Sequence, residues 1–242
     1  MEEIFEAIED LKHKFAHHNI FSYLQDSNLT IEDRIAWFPC ITHIAMGFSD
    51  VWKYDFRKEP SNDLIQKIIN QHTYEDEDHW IWFIDDLKKL GFDKQSLFSE
   101  TLKFLWGEEN TKIRLVPHLV AVEVHHADPI IKLAAIEAIE ATFHVFISAT
   151  VPIMKEIEKQ TKEKYHYIGT THFEVEDSHT IRQNKIRNSL KNIQLSSEMK
   201  QKALNTIEIV FSLFSDAADQ MLIYAQNNSS KLIFNKNIIP IY

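Results

Sequence analysis

Two stretches of this chain share one spacing of residues that can bind a cation. Residues 72–79 read "HTYEDEDH" and residues 172–179 read "HFEVEDSH". Each is His-x3-acid-x2-His, with Asp76 as the acid in the first and Glu176 in the second. On a helix, positions i, i+4 and i+7 lie on one face, so His72, Asp76 and His79 are expected to project together. The same holds for His172, Glu176 and His179. Neighbouring apolar residues put these groups on core-facing positions: Ile65, Ile68, Phe83, Leu87 and Leu90 around the first motif, Ile186 and Leu190 below the second. Burying a carboxylate and two imidazoles without partners costs several kcal/mol. A divalent transition ion is the natural remedy, since it takes neutral imidazole and ionised carboxylate as ligands.

A third segment adds to the set. Glu137, Glu140 and His144 are the ionisable side chains between Lys132 and Lys155, in an otherwise apolar run, and they share one face. Three helices are therefore expected to bring acid and imidazole inward. His118 and His125 have the same seven-residue spacing but Val122 at the fourth position, and are taken as a chance pair. Glu75, Glu77 and Asp78 are expected on a solvated acidic face. The alternative for the whole set is a metal-free polar network holding the core.

The elements that must position these residues are helical. Only four Gly and six Pro occur in 242 residues, too few turn formers for an all-β chain of this length. With 44% hydrophobic residues the chain can bury a substantial core, and residues 1–242 are read as one domain. A helix is expected over 2–17. A second starts at "TIED", capped by Thr30 with Asp33 three residues on, and runs through Pro39 with a bend. A third begins after Ser61 or Asn62 and continues through His72 and His79 to Gly91. "LFSETLKFLWG" and "TKIRLVPHLVAVEVHH" suggest two more. Asp128 and Pro129 form the clearest helix start, opening a central buried helix. A helix over about 171–193 carries the second motif, and Ser196 or Ser197 opens a last one to about Asn227. The total is seven or eight helices, with an apolar tail at "SSKLIFNKNIIPIY".

Charge and cysteine content exclude several classes of function. A formal net charge of −10 disfavours nucleic acid and anionic membrane surfaces as partners. Cys40 is the single cysteine, so no internal disulfide forms. No apolar run reaches the length of a membrane span, and "MEEIFEAIED" is unlike a secretory signal. A cytoplasmic location is expected.

The residue set resembles the haem-oxygenase-like diiron oxidases and oxygenases, also described as iron-containing redox enzymes. The resemblance implies a haem-oxygenase-like bundle that binds two irons in place of haem. It also implies ligands from three core helices: a Glu and a His seven apart, a single Glu, and a His-x3-acid-x2-His set. "HFEVEDSH" matches the last as His172, Glu176 and His179. Glu140, 32 residues before His172, takes the position of the single Glu, and His79 that of the first-helix His. Where the pattern has Glu seven residues before His79, this chain has His72. Either His72 is a ligand, or Glu75 or Asp76 substitutes, or one iron alone is held tightly.

The implied activity is dioxygen reduction at two irons bridged by Glu140, with oxidation or oxygenation of a small organic substrate such as an amino acid or fatty acid. Manganese suits the same ligands, and zinc is possible. Asp177 or Glu137 would orient the imidazoles, and Trp80, Trp82, Phe143 and Phe173 would wall the pocket. A homodimer is possible. Other readings are a ferritin-like bundle, a haem protein using the histidines of "LKHKFAHH", a metal-free member of the fold (a thiaminase-like hydrolase or a quinone-cofactor oxidase), and a non-catalytic metal-binding bundle.

Overall fold

The structure is a computed structural model that describes residues 1–172 and 184–228, the side chains of 184–187 excepted. Glu176, His179, Phe173 and Asp177, together with the tail from 229 onward, lie outside the described residues. All regular secondary structure among the described residues is helical, as the sparse glycine and proline suggest. Eleven α-helices occur among the described residues, more than the seven or eight expected, because two of the long ones are interrupted and a short one at Asn19–Gln25 was not anticipated.

The spine consists of α9 (Pro129–Thr161) and α11 (Ser197–Asn228), which pack along each other. Around them lie α1 (Glu2–Phe15), α2 (Asn19–Gln25), α3 (Ile31–Ile35), α4 (Thr42–Val51), α5 (Leu64–Asp76) and α6 (His79–Lys89). Three further helices are α7 (Phe98–Trp106), α8 (Thr111–Val124) and α10 (Asn184–Lys191). One hydrophobic cluster takes side chains from α1 through to α11. No described helix is long and apolar enough to cross a membrane.

The helix starts follow local chemistry. Thr30 and Asp33 form a reciprocal capping box at α3. Asp128 accepts from the Ile130 N–H at 2.9 Å, and Pro129 takes the first-turn position where a missing N–H is harmless. Every residue of α9 from Ile130 to Thr142 is buried, Lys132, Glu137 and Glu140 included. Ser196 caps α11 by accepting from the Met199 N–H. At the end of α6, Gly91 adopts φ +77°. Its N–H reaches Lys88 O while the Phe92 N–H reaches Leu87 O, a pairing that needs a left-handed residue at Gly91.

The expected single helix through His72 and His79 is two helices. The Glu77 carbonyl, which a continuous helix would offer to the Ile81 N–H, accepts instead from the Ser49 hydroxyl at 2.8 Å. Ile81 N–H turns to Asp78 O, and Arg57 holds the corner through Thr73 Oγ1 (2.9 Å) and Glu77 Oε2 (2.5 Å). A tertiary contact has therefore broken the local pattern. The helix expected through Pro39 is likewise broken, into α3, a 3₁₀ turn at Phe38–Ile41 and α4. After α4 the chain widens into one π-helical turn, Trp52–Phe56. Lys132 reaches from α9 to donate to the carbonyls of Asp55 and Phe56, and Gln66 of α5 also donates to Phe56 O. That turn is consequently fastened to both helices that carry acidic site residues.

Candidate metal centre

His72 and Asp76 come from the last turn and a half of α5, and Glu140 faces them from α9. All three are buried, at 0, 7 and 3% exposure, and each offers a ligand atom within 4.8 Å of the others. His72 Nε2 lies 3.1 Å from Asp76 Oδ2 and 3.4 Å from Glu140 Oε1. Adjacent donors around an ion bound at about 2.1 Å stand about 3 Å apart, so the trio is close to a coordination geometry as it is.

His79 opens α6 beyond the break, and its Nδ1 is 3.6 Å from Asp76 Oδ1. Asp76 thus aims one oxygen at each histidine of the first motif. The one-face stacking expected of a continuous helix does not apply to His79, yet the bend still delivers its ring to the same carboxylate. Trp82 lies flat against the His79 ring at 4.3 Å and 18°. The His172 ring stands edge-on to both, with centroids 4.7 Å from His79 and 5.7 Å from Trp82. His172 is buried and its Nδ1 is 2.6 Å from Tyr167 O. A neutral ring donating there carries its lone pair on Nε2, the arrangement usual for a metal-bound histidine. Among the described residues, the Tyr167 carbonyl orients His172 through Nδ1.

Electrostatics tie the trio together. Burial disfavours the charge on His72, but Asp76 and Glu140 outweigh it and hold the imidazole well above its ordinary pKa. Burial alone would push the Asp76 carboxyl up, and His72 beside it holds it below the usual value instead. An imidazolium between two carboxylates occupies the position of a cation, with a donor set a divalent ion would take.

Of the seven expected ligands, His72, Asp76, Glu140, His79 and His172 are gathered here. Glu176 and His179 fall outside the described residues. Glu75 is half-buried on α5 and accepts from Gln71. Glu137 is buried one turn before Glu140, while His144 sits beside Ser148. His125 pairs with Asp55 near the surface, in keeping with a chance spacing. His18 caps α2 and approaches Asp219.

A cavity of about 30 Å³ opens on Asp76, Glu140, His79 and His172. Its apolar wall is Phe48, Trp52 and Phe143, with Tyr167 and Ser49 beside them. Phe143 was expected there. Trp80 is half-buried without lining the cavity, and Trp82 stands behind His79 rather than on the wall.

The sequence offered no sign of Trp52, whose ring meets His72 edge-on at 5.5 Å. It did carry a trace of Asp86, an acid in the apolar stripe of α6 between Phe83 and Leu90. Fully buried, Asp86 accepts from the N–H groups of His166 (2.9 Å) and Tyr167 (2.7 Å). It fixes the turn whose carbonyl orients His172. No protein-family model matches the sequence, and no curated protein matches it either.

Proposed function

We propose that this chain is a non-haem metal oxidoreductase of the haem-oxygenase-like diiron type, acting with dioxygen on a small organic substrate. One observation carries the reading: His72, Asp76 and Glu140 converge in the core from two helices, with His79 beside Asp76 and His172 edge-on to His79. Burial matters here, because exposed acidic groups cluster readily without an ion and buried ones do so at a cost. Iron is the first choice, with manganese a chemical equivalent for these ligands. His72, Asp76, His79 and Glu140 would hold one ion, and His172 with Glu176 and His179 would complete a second. Iron bound there would supply the electrons that reduce dioxygen and drive oxidation of the substrate.

The chain's own share is positional. The Tyr167 carbonyl sets the His172 tautomer, Trp82 fixes the plane of His79, and Asp76 spaces the two imidazoles of its motif. Phe48, Trp52 and Phe143 keep one side of the cavity apolar, which limits water at the ligands. A volume of about 30 Å³ admits dioxygen or a water molecule.

The test is metal analysis of protein produced in iron-supplemented medium, beside His72→Ala and Glu140→Ala. About two irons per chain in the parent and a loss in both variants support the proposal. A second reading follows from the same 3.1 and 3.4 Å contacts, which also suit a metal-free ion pair that holds α5 to α9. Parent protein that folds normally and retains no iron or manganese would establish that reading instead.

A further inference from the structure

A second cavity, again of about 30 Å³, shares the Phe143 ring with the cavity at the candidate metal centre. Its wall is Trp37, Ile41, Ile44, Phe146, Phe214 and Met221, with Phe143 the residue common to both cavities. No hydrogen-bonding group serves this space. The one N–H on its wall, Trp37 Nε1, is spent on Arg34 O at 2.8 Å. A buried water needs two to four polar partners, and cavities lined like this one stay dry and take up apolar molecules. At roughly 10–15 Å³ per water-sized sphere, the room suits a diatomic gas.

The placement gives this space a purpose. Glu140 and Phe143 stand one turn apart on α9, so the carboxylate faces one cavity while the next ring along the same helix partitions the two. The Phe143 ring meets Phe48 (6.2 Å) and Phe214 (5.7 Å) edge-on, and those two rings stack on each other at 6.2 Å. We propose that the apolar cavity is a binding site for dioxygen next to the metal-ligand cluster, with Phe143 as the partition through which the gas passes. The proposal rests on the oxidoreductase reading for the identity of the gas. The existence of a gas site does not.

Xenon is the probe for the site itself. Crystals of the metal-free protein under xenon pressure should show xenon between Trp37, Ile44, Phe214 and Met221. Ile44→Phe, which fills the space from α4, should abolish it. Met221→Phe fills the same space from α11 and stands in if the first variant does not fold. In the iron-loaded enzyme, the filling variant should raise the KM for dioxygen several-fold and leave kcat at saturating gas unchanged. An empty cavity under xenon overturns the site, and an unchanged KM for dioxygen in a variant that has lost xenon overturns its role. Parent protein that takes up xenon but holds no iron keeps the gas site and removes the oxidoreductase reading, so the two fail separately.

Discussion

Asp76 is the residue on which the centre turns, because its two oxygens address two histidines on different helices. In the metal-free protein its charge and that of Glu140 keep a proton on His72. The two shifts have opposite signs. His72 is raised above its ordinary 6.5, so its contribution to stability is complete below about that pH and is lost as pH climbs through the folded value. Asp76 is lowered from 3.8, so its contribution is present above about pH 4 and is lost on acidification through the folded value. The metal-free protein is therefore expected to gain most from this pair between about pH 4 and 6.5. A divalent ion must displace the His72 proton, so its affinity should rise about tenfold per pH unit below the His72 value. Titrations in buffers of different ionisation enthalpy would register that proton. Affinity that does not change with pH would mean His72 is not a ligand.

Among the elements, the turn at 165–168 makes the best case that a carboxylate outside the candidate centre shapes the site. Burial lifts the Asp86 carboxyl to about 6, against the backbone N–H groups that pull it down. An acid raised in the folded state favours folding less as pH rises from about 4 to 6, and its contribution is level above that. Asp86→Asn should flatten this slope and lower stability by about 1–3 kcal/mol through a lost backbone acceptor. It should also weaken metal binding by roughly 10–100-fold by freeing the turn that orients His172. Thermal melts from pH 4 to 7 with metal titrations of the same variant would check both, and unchanged metal affinity would confine Asp86 to a structural role. Asp86 also shows where reading the sequence stops. Its partners are 80 residues away, and nothing local announces them. Thr30, Asp33, Gly91, Asp128 and Pro129 were legible because caps and stops are satisfied within a few residues. A bend at Pro39 was legible though not the full break there, and the break at Glu77 was not, since Ser49 and Arg57 hold it from elsewhere in the chain.

Across the whole molecule, the all-helical class and a buried acid–imidazole cluster could be read from composition and spacing. The helix count could not, because interruptions multiply segments without altering the apolar pattern. The candidate ligands among the described residues span positions 72 to 172 and come from α5, α6, α9 and the segment after α9. An ion bound only by the folded state should stabilise the entire bundle by about 2.7 kcal/mol at a hundred times its Kd. Chelator should lower the melting temperature of protein purified with metal and leave Glu140→Ala unaffected; equal shifts in both would place the ion elsewhere. The interruption at Glu77 and Asp78 has a mechanical consequence. Asp76 and His79 flank it, so an ion gripping both would close a loop of backbone only four residues around, with no slack to share. Occupancy would then be written into the corner itself, as slowed amide exchange at Glu77 and Asp78 that a clasp opened by chelator would release.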